Sequence, residues 1–105
     1  MKQFEGGRCL VANQVIDQMV AMSAADVDGV LAVRGYDAET GALRRGYKRS
    51  ILAEMEEDGL SVRLVLDVLP DASIVETVER VQKAVKREIE AMLGLPCKRV
   101  DVVVA

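Results

Sequence analysis

Histidine and tryptophan are absent from this 105-residue sequence, and only two cysteines, two prolines and three aromatic residues are present. Without histidine, acid–base chemistry near neutral pH would fall to carboxylates. Cys9 and Cys97 stand near opposite ends of the chain, with no CxxC pair and no Cys/His cluster, so a structural zinc site has no ligand set. They read as two small buried hydrophobes kept reduced in a cytosolic protein. Phe4, Tyr36 and Tyr47 are too few to stack a run of bases, and the core they leave must be aliphatic. No apolar run approaches the roughly 18 residues of a spanning helix, and the N-terminal MKQFEGGRCL has no apolar signal region.

Half of the residues are hydrophobic, enough for one core in a chain of this length, and the expectation is a single domain over 1–105. Net charge is −3, which argues against a general nucleic-acid coat and against broad adhesion to anionic membranes. The charge is unevenly placed. Arg44, Arg45, Lys48 and Arg49 fall within six positions, so a local patch of +4 stands on a remainder of −7.

Periodicity predicts the elements. Residues 8–12 form a short extended run, and Asn13 is a good N-cap for a helix reaching Gly29. In that helix Val15, Met19 and Met22, with Ile16, Val20, Ser23 and Val27, recur at three- and four-residue steps, while Gln14, Asp17, Gln18 and Asp28 take the other side. Residues 30–35 alternate as a strand, with Leu31 and Val33 on one side, and residues 36–48 read as a loop rich in turn formers. Residues 49–70 read as a hairpin turning at Asp58-Gly59, with Ile51, Ala53 and Met55, then Val62, Leu64, Leu66 and Val68, facing one way. Ser73 and Glu76 make a capping box for a long helix, whose apolar stripe is Ile74, Val78, Val81, Val85, Ile89 and Met92. Gly94 and Pro96 stop it, and residues 97–105 form a last strand. The order (β)αβββαβ predicts an α+β fold: a small mixed sheet of about four strands with two helices on one face. The opposite sheet face would carry Leu52, Glu54, Arg63, Val65, Asp67, Asp101 and Val103.

Motifs for chemistry are sparse. TGALRRGYKRS, residues 40–50, has Gly41 and Gly46 at the spacing of a phosphate loop, but Tyr47 stands where the lysine belongs and a strand follows in place of a helix. A KH-like RNA-binding module using residues 44–49 is the alternative reading. It lacks the GXXG clamp and an interleaved aromatic set, so nucleic acid is the weaker partner class. Glu54, Glu56, Glu57 and Asp58 are the densest carboxylate group, but they sit at a hairpin end, which is ordinarily a solvated rim. No cofactor motif is found, and an enzyme is the least supported reading.

Three stretches carry a family resemblance. VANQVIDQMVAMSAADVDGVLAV, with its Val27, Gly29 and Val30 exit, looks like the first helix of the bacterial alkaline-shock/general-stress protein family, found mainly in Gram-positive bacteria and linked to envelope stress. GLSVRLVLDV is similar to that family's central strand. IVETVERVQKAVKREIEAMLGLPCKRVDVVV resembles its most distinctive part, a helix containing Val81-Gln82 that ends in a Met92-x-Gly94-Leu95 turn before a Val-x-Val strand. The resemblance implies a non-enzymatic cytoplasmic protein that self-associates or docks on a membrane-anchored partner at the inner face of the cell membrane. The partner-binding residues expected are Arg44, Arg45, Lys48 and Arg49 on the loop and Leu52, Val65 and Val103 on the open sheet face.

Overall fold

The computed structural model describes residues 2–5, 8–11 and 13–105, with side chains from residue 14 onward. The expected extended run near residue 8 is one arm of a hairpin: β1 (Lys2–Glu5) pairs antiparallel with β2 (Arg8–Val11), from Lys2↔Val11 to Glu5↔Arg8. The expected cap by Asn13 and the surroundings of Cys9 lie outside the described side chains.

Helix α1 spans Asn13–Ala25. It buries Ile16, Asp17, Val20, Ala21 and Ala24, a stripe at three- and four-residue steps whose small alanines let the helix approach the sheet closely. Three corrections follow. Val15 and Met22 are half exposed, and Asp17, expected on the wet side, is only 1% exposed. The helix also ends four residues before Gly29, in tight turns closed by Val27 N–H to the Ala24 carbonyl (3.2 Å) and Val30 N–H to the Val27 carbonyl (3.2 Å).

β3 (Val30–Val33), β6 (Ile51–Glu56), β7 (Gly59–Val68) and β8 (Cys97–Val104) make the four-stranded mixed sheet. Between them, residues 36–49 hold the short antiparallel pair β4 (Tyr36–Asp37) and β5 (Ala42–Leu43), then a 3₁₀ turn over Tyr47–Arg49. β7 is central. It runs antiparallel to β6, from Ile51↔Leu64 to Glu56↔Gly59, antiparallel to β3, and parallel to β8, from Leu60↔Cys97 to Leu66↔Val104. Val65 donates its N–H to the Ser50 carbonyl (3.0 Å) and accepts from Arg34 N–H (2.9 Å). A residue's N–H and C=O point to the same strand edge, so β6 and β3 follow one another along one edge of β7 and β8 takes the other.

A bulge between Val30 and Ala32 inserts Leu31 without a partner in the β3–β7 ladder. Leu31 is therefore 60% exposed while Val33 is buried, correcting the expectation that the two share a face. Met55, opposite Leu60 beside the hairpin turn, is likewise exposed, although Ile51 and Ala53 are buried as expected.

Parallel pairing of β7 with β8 requires a crossover, which α2 (Ile74–Leu93) supplies. Ser73 Oγ accepts the Glu76 N–H (3.3 Å), and Gly94, at φ 66°, closes the other end with its N–H on the Glu90 carbonyl. The buried stripe is Thr77, Val81, Val85 and Ile89. Ile74 and Met92 have the right angular position, but they lie in the first and last turns, where nothing closes over them, and both are exposed. Both helices cover the sheet face that carries Ile51, Ala53, Leu60, Val62, Leu64, Leu66 and Val100, and these residues form one core with α1 and α2.

Candidate interaction surface

The uncovered face is organised in rows by the strand register. Val65 lies beside Val103; Leu52 beside Arg63, and Arg63 beside Asp101; Glu54 beside Ser61, and Ser61 beside Arg99. Alternation along each strand puts all of these on the side away from the helices, so the expected open-face residues do share one face. Leu52 and Val65 are half-buried and Val103 is 40% exposed. A shallow depression of about 130 Å³ is lined by Leu52, Glu54, Glu56, Ser61, Val62, Arg63, Arg99 and Asp101. Sequence reasoning left out Arg99, which forms an ion pair with Asp101 at 3.0 Å (Nε to Oδ2). The alternation of residues 99, 101 and 103 against the inward valines was the signal for it.

At the hairpin end of this face, Lys98 Nζ bridges Glu56 Oε2 (3.0 Å) and Asp58 Oδ1 (3.2 Å), and Ser61 Oγ donates to Glu56 Oε2 at 2.6 Å. The Ser61 hydroxyl and the Lys98 ammonium hold the Glu56 carboxyl below the usual range. These carboxylates are engaged in structural pairs, in keeping with a rim.

At the other end, the 3₁₀ turn runs straight into β6 through Ser50, whose carbonyl is bound to Val65 N–H. The basic turn thus adjoins the Val65–Val103 row. Arg45, Lys48 and Arg49 are exposed and form no ion pair among the described residues, while Arg44 turns toward Asp37 (4.0 Å). Arg44 lines a second groove, of mixed polarity and about 340 Å³, between the end of α1, β3 and the β4–β5 pair, with Leu31, Tyr36 and Asp37. The four cations therefore do not act as one patch: Arg44 lies beside this groove, Lys48 is close enough to act on the buried Asp17, and Arg45 and Arg49 are exposed on the turn.

The turn is tied to the interior through Tyr47, a link that sequence reasoning missed. The Tyr47 hydroxyl and the Ala53 N–H face the buried Asp17 carboxylate, and Lys48 is the nearby countercharge. Burial pushes the Asp17 carboxyl up, against the lowering effect of those three groups, and Asp17 Oδ1 has no hydrogen-bond partner. The position of Asp17, three and four residues before Val20 and Ala21 and seven before Ala24, was the available signal. Cys97 is buried on the covered side, and burial raises its thiol above the ordinary value. Among the described residues no group of three or more His, Cys, Asp or Glu side chains is arranged to hold a metal ion, and no helix is long and apolar enough to cross a membrane.

Comparison with solved structures places the fold. MamM-CTD 215–293 superposes with a TM-score of 0.54 at 13% identity, over 88% of this chain and 95% of that one. A cadmium form of a MamM CTD variant gives 0.56 at 13% identity, over 90% and 96%. At these identities the likeness is one of fold. In sequence, the uncharacterized protein YqhY of Bacillus subtilis (strain 168) is 24% identical over 100 residues, covering 91% of this chain and 73% of the relative. The resemblance carried by the α1 exit, the β7 strand and the α2–β8 turn agrees with the family found over the full sequence. The model of the alkaline shock protein 23 family, described as having a cell envelope-related function, matches residues 1–105, and the chain belongs to that family.

Proposed function

We propose that this protein is a non-enzymatic scaffold in the homeostasis of the cell envelope, acting in the cytoplasm through protein contacts at the inner face of the membrane. The observation that carries this reading is the one-sided sheet: helices cover one face, and the other presents the Val65–Val103 row with Leu52 beside it. Partly exposed apolar residues rimmed by charge suit a protein contact. The basic turn at the rim, Arg45, Lys48 and Arg49, with Arg44 set back toward Asp37, would steer an acidic surface of a membrane-anchored partner or of a further copy. Glu56 and Asp101 on this face are held in pairs with Ser61, Lys98 and Arg99, which supports binding over catalysis.

The test compares wild type, Val65→Glu and a variant with Arg44, Arg45, Lys48 and Arg49 all changed to Ser. Self-association is followed by sedimentation, and envelope retention by fractionation of a bacterial host. The reading expects Val65→Glu to lose association or retention, and the quadruple variant to weaken it with a steeper effect at low salt. Identical behaviour of all three proteins in both assays would sink it. RNA binding whose affinity falls steeply with salt and disappears in the quadruple variant would favour the KH-like alternative instead.

A further inference from the structure

We propose that the outer edge of β8 pairs antiparallel with the same edge of a second copy, in the register that sets Arg99 opposite the partner's Asp101. This deepens the interaction reading by naming one partner and a surface distinct from the open face.

The edge is available. β8 pairs only with β7 among the described residues, and it runs for eight residues, Cys97–Val104, without an internal proline. Long unpaired edges are templates for another strand unless blocked. Ala105 N–H bonds the Leu66 carbonyl (2.9 Å), so residue 105 directs its backbone groups toward β7. Backbone direction alternates along a strand, hence Val100, Val102 and Val104 direct theirs to the free edge. The Val100 carbonyl agrees: it accepts Gln82 Nε2 of α2 at 3.2 Å on that outer side, and keeps a second lone pair for a strand.

The charges choose the register. Outward-directed residues must meet outward-directed residues, which limits self-pairing to registers centred on Arg99, Val100, Asp101, Val102 or Val103. Centring on Arg99 or on Asp101 sets like charges directly opposite, which is destabilising. Centring on Val102 or Val103 leaves both charges opposite alanine, valine or nothing. Centring on Val100 sets Arg99 opposite the partner's Asp101 and, by the two-fold axis, Asp101 opposite the partner's Arg99. Together with the Arg99–Asp101 pair already present at 3.0 Å, four charges of alternating sign then form a closed ring on the open side of a continuous sheet. The axis stands perpendicular to the sheet, so both Val65–Val103 rows emerge on the same side.

The experiment is sedimentation equilibrium of the full chain, from micromolar to millimolar concentration, for wild type, Arg99→Asp, Asp101→Arg and the double swap, with Val65→Glu as a probe of the open face. Both charged residues are exposed, so the fold is retained, as circular dichroism and melting would show. Wild type is expected to dimerise, each single reversal to abolish the dimer, and the double swap to restore it. A wild type that stays monomeric throughout overturns the pairing and leaves docking on a separate protein open. A dimer that survives both single reversals and dissociates on Val65→Glu also overturns it, moving self-association to the open face. Loss in both singles without recovery in the double swap overturns the register.

Discussion

Gly29 and Thr77 are so close that a Cβ on the glycine would stand 2.5 Å from Thr77 Oγ1. Gly29, in the turn after α1, has φ 99°, a conformation L side chains rarely adopt, while Thr77 is fully buried in the first turns of α2 with its hydroxyl donated to the Ser73 carbonyl (2.6 Å). The approach of the two helices at this end therefore depends on the missing side chain.

Gly29→Ala is expected to destabilise the fold by about 2 kcal/mol or more, through backbone strain together with overpacking. Thr77→Ala in the same chain removes the clashing Oγ1 and Cγ2. The double variant should recover the packing part and keep the backbone part. Chemical denaturation of the four proteins of this cycle measures both, and strictly additive losses would contradict the contact.

Asp17 supplies the second expectation. Burial raises its folded pKa above the unfolded value, so its favourable contribution is complete below the unfolded pKa and is lost as pH rises through the folded one. Asp17→Asn should be more stable than wild type at neutral pH, by roughly 1–3 kcal/mol, the scale of a buried group left without a partner. The difference should shrink as the pH is lowered. Melting curves across that range decide it, and a variant equally or less stable at neutral pH would show that the ionised carboxylate is accommodated.

Glu56 acts in the opposite direction. Its folded pKa is lowered, first by Ser61 and then by Lys98, so the stability it contributes is present above the unfolded pKa and fades as pH falls through the folded value. Glu56→Gln should lower stability at neutral and alkaline pH, flatten the acid side of the stability profile and leave the slope of the alkaline side unchanged. The pair is exposed to solvent, so salt should reduce the difference between the two proteins.

The N-terminal cap of α2 gives a local test. Ser73→Ala removes the acceptor of the Glu76 N–H and is expected to cost about 1 kcal/mol. Hydrogen exchange of the Glu76 amide should accelerate more than that of Val85 in the middle of the helix. Uniform acceleration would assign the loss to global unfolding alone.

Much of this molecule follows from its sequence by itself. The hairpin of residues 51–68, the Ser73 cap and the Val81, Val85, Ile89 stripe rest on local chemistry, namely backbone period and capping, and stand in the structure as read except that Met55 is exposed and the turn falls one residue earlier than Asp58-Gly59, at Glu57-Asp58, with Gly59 already paired to Glu56. The same local patterns carried the family resemblance and placed Leu52, Val65 and Val103 on one face. Tertiary structure decided where local pattern and global packing disagree. Asp17 is polar and reads as exposed, yet the alanines around it bring α1 so close to the sheet that the carboxylate is enclosed against Tyr47 and Ala53. Leu31 is apolar and reads as buried, yet one unpaired residue in the β3–β7 register turns it to solvent. The run Arg44 to Arg49 reads as one patch, yet strand pairing at Leu43 and the 3₁₀ turn at Tyr47 send Arg44 toward Asp37 and set Lys48 near the buried Asp17, while Arg45 and Arg49 stay exposed without an ion pair among the described residues. In each case the deciding quantity is the distance between segments far apart in the chain, which periodicity along the chain does not encode.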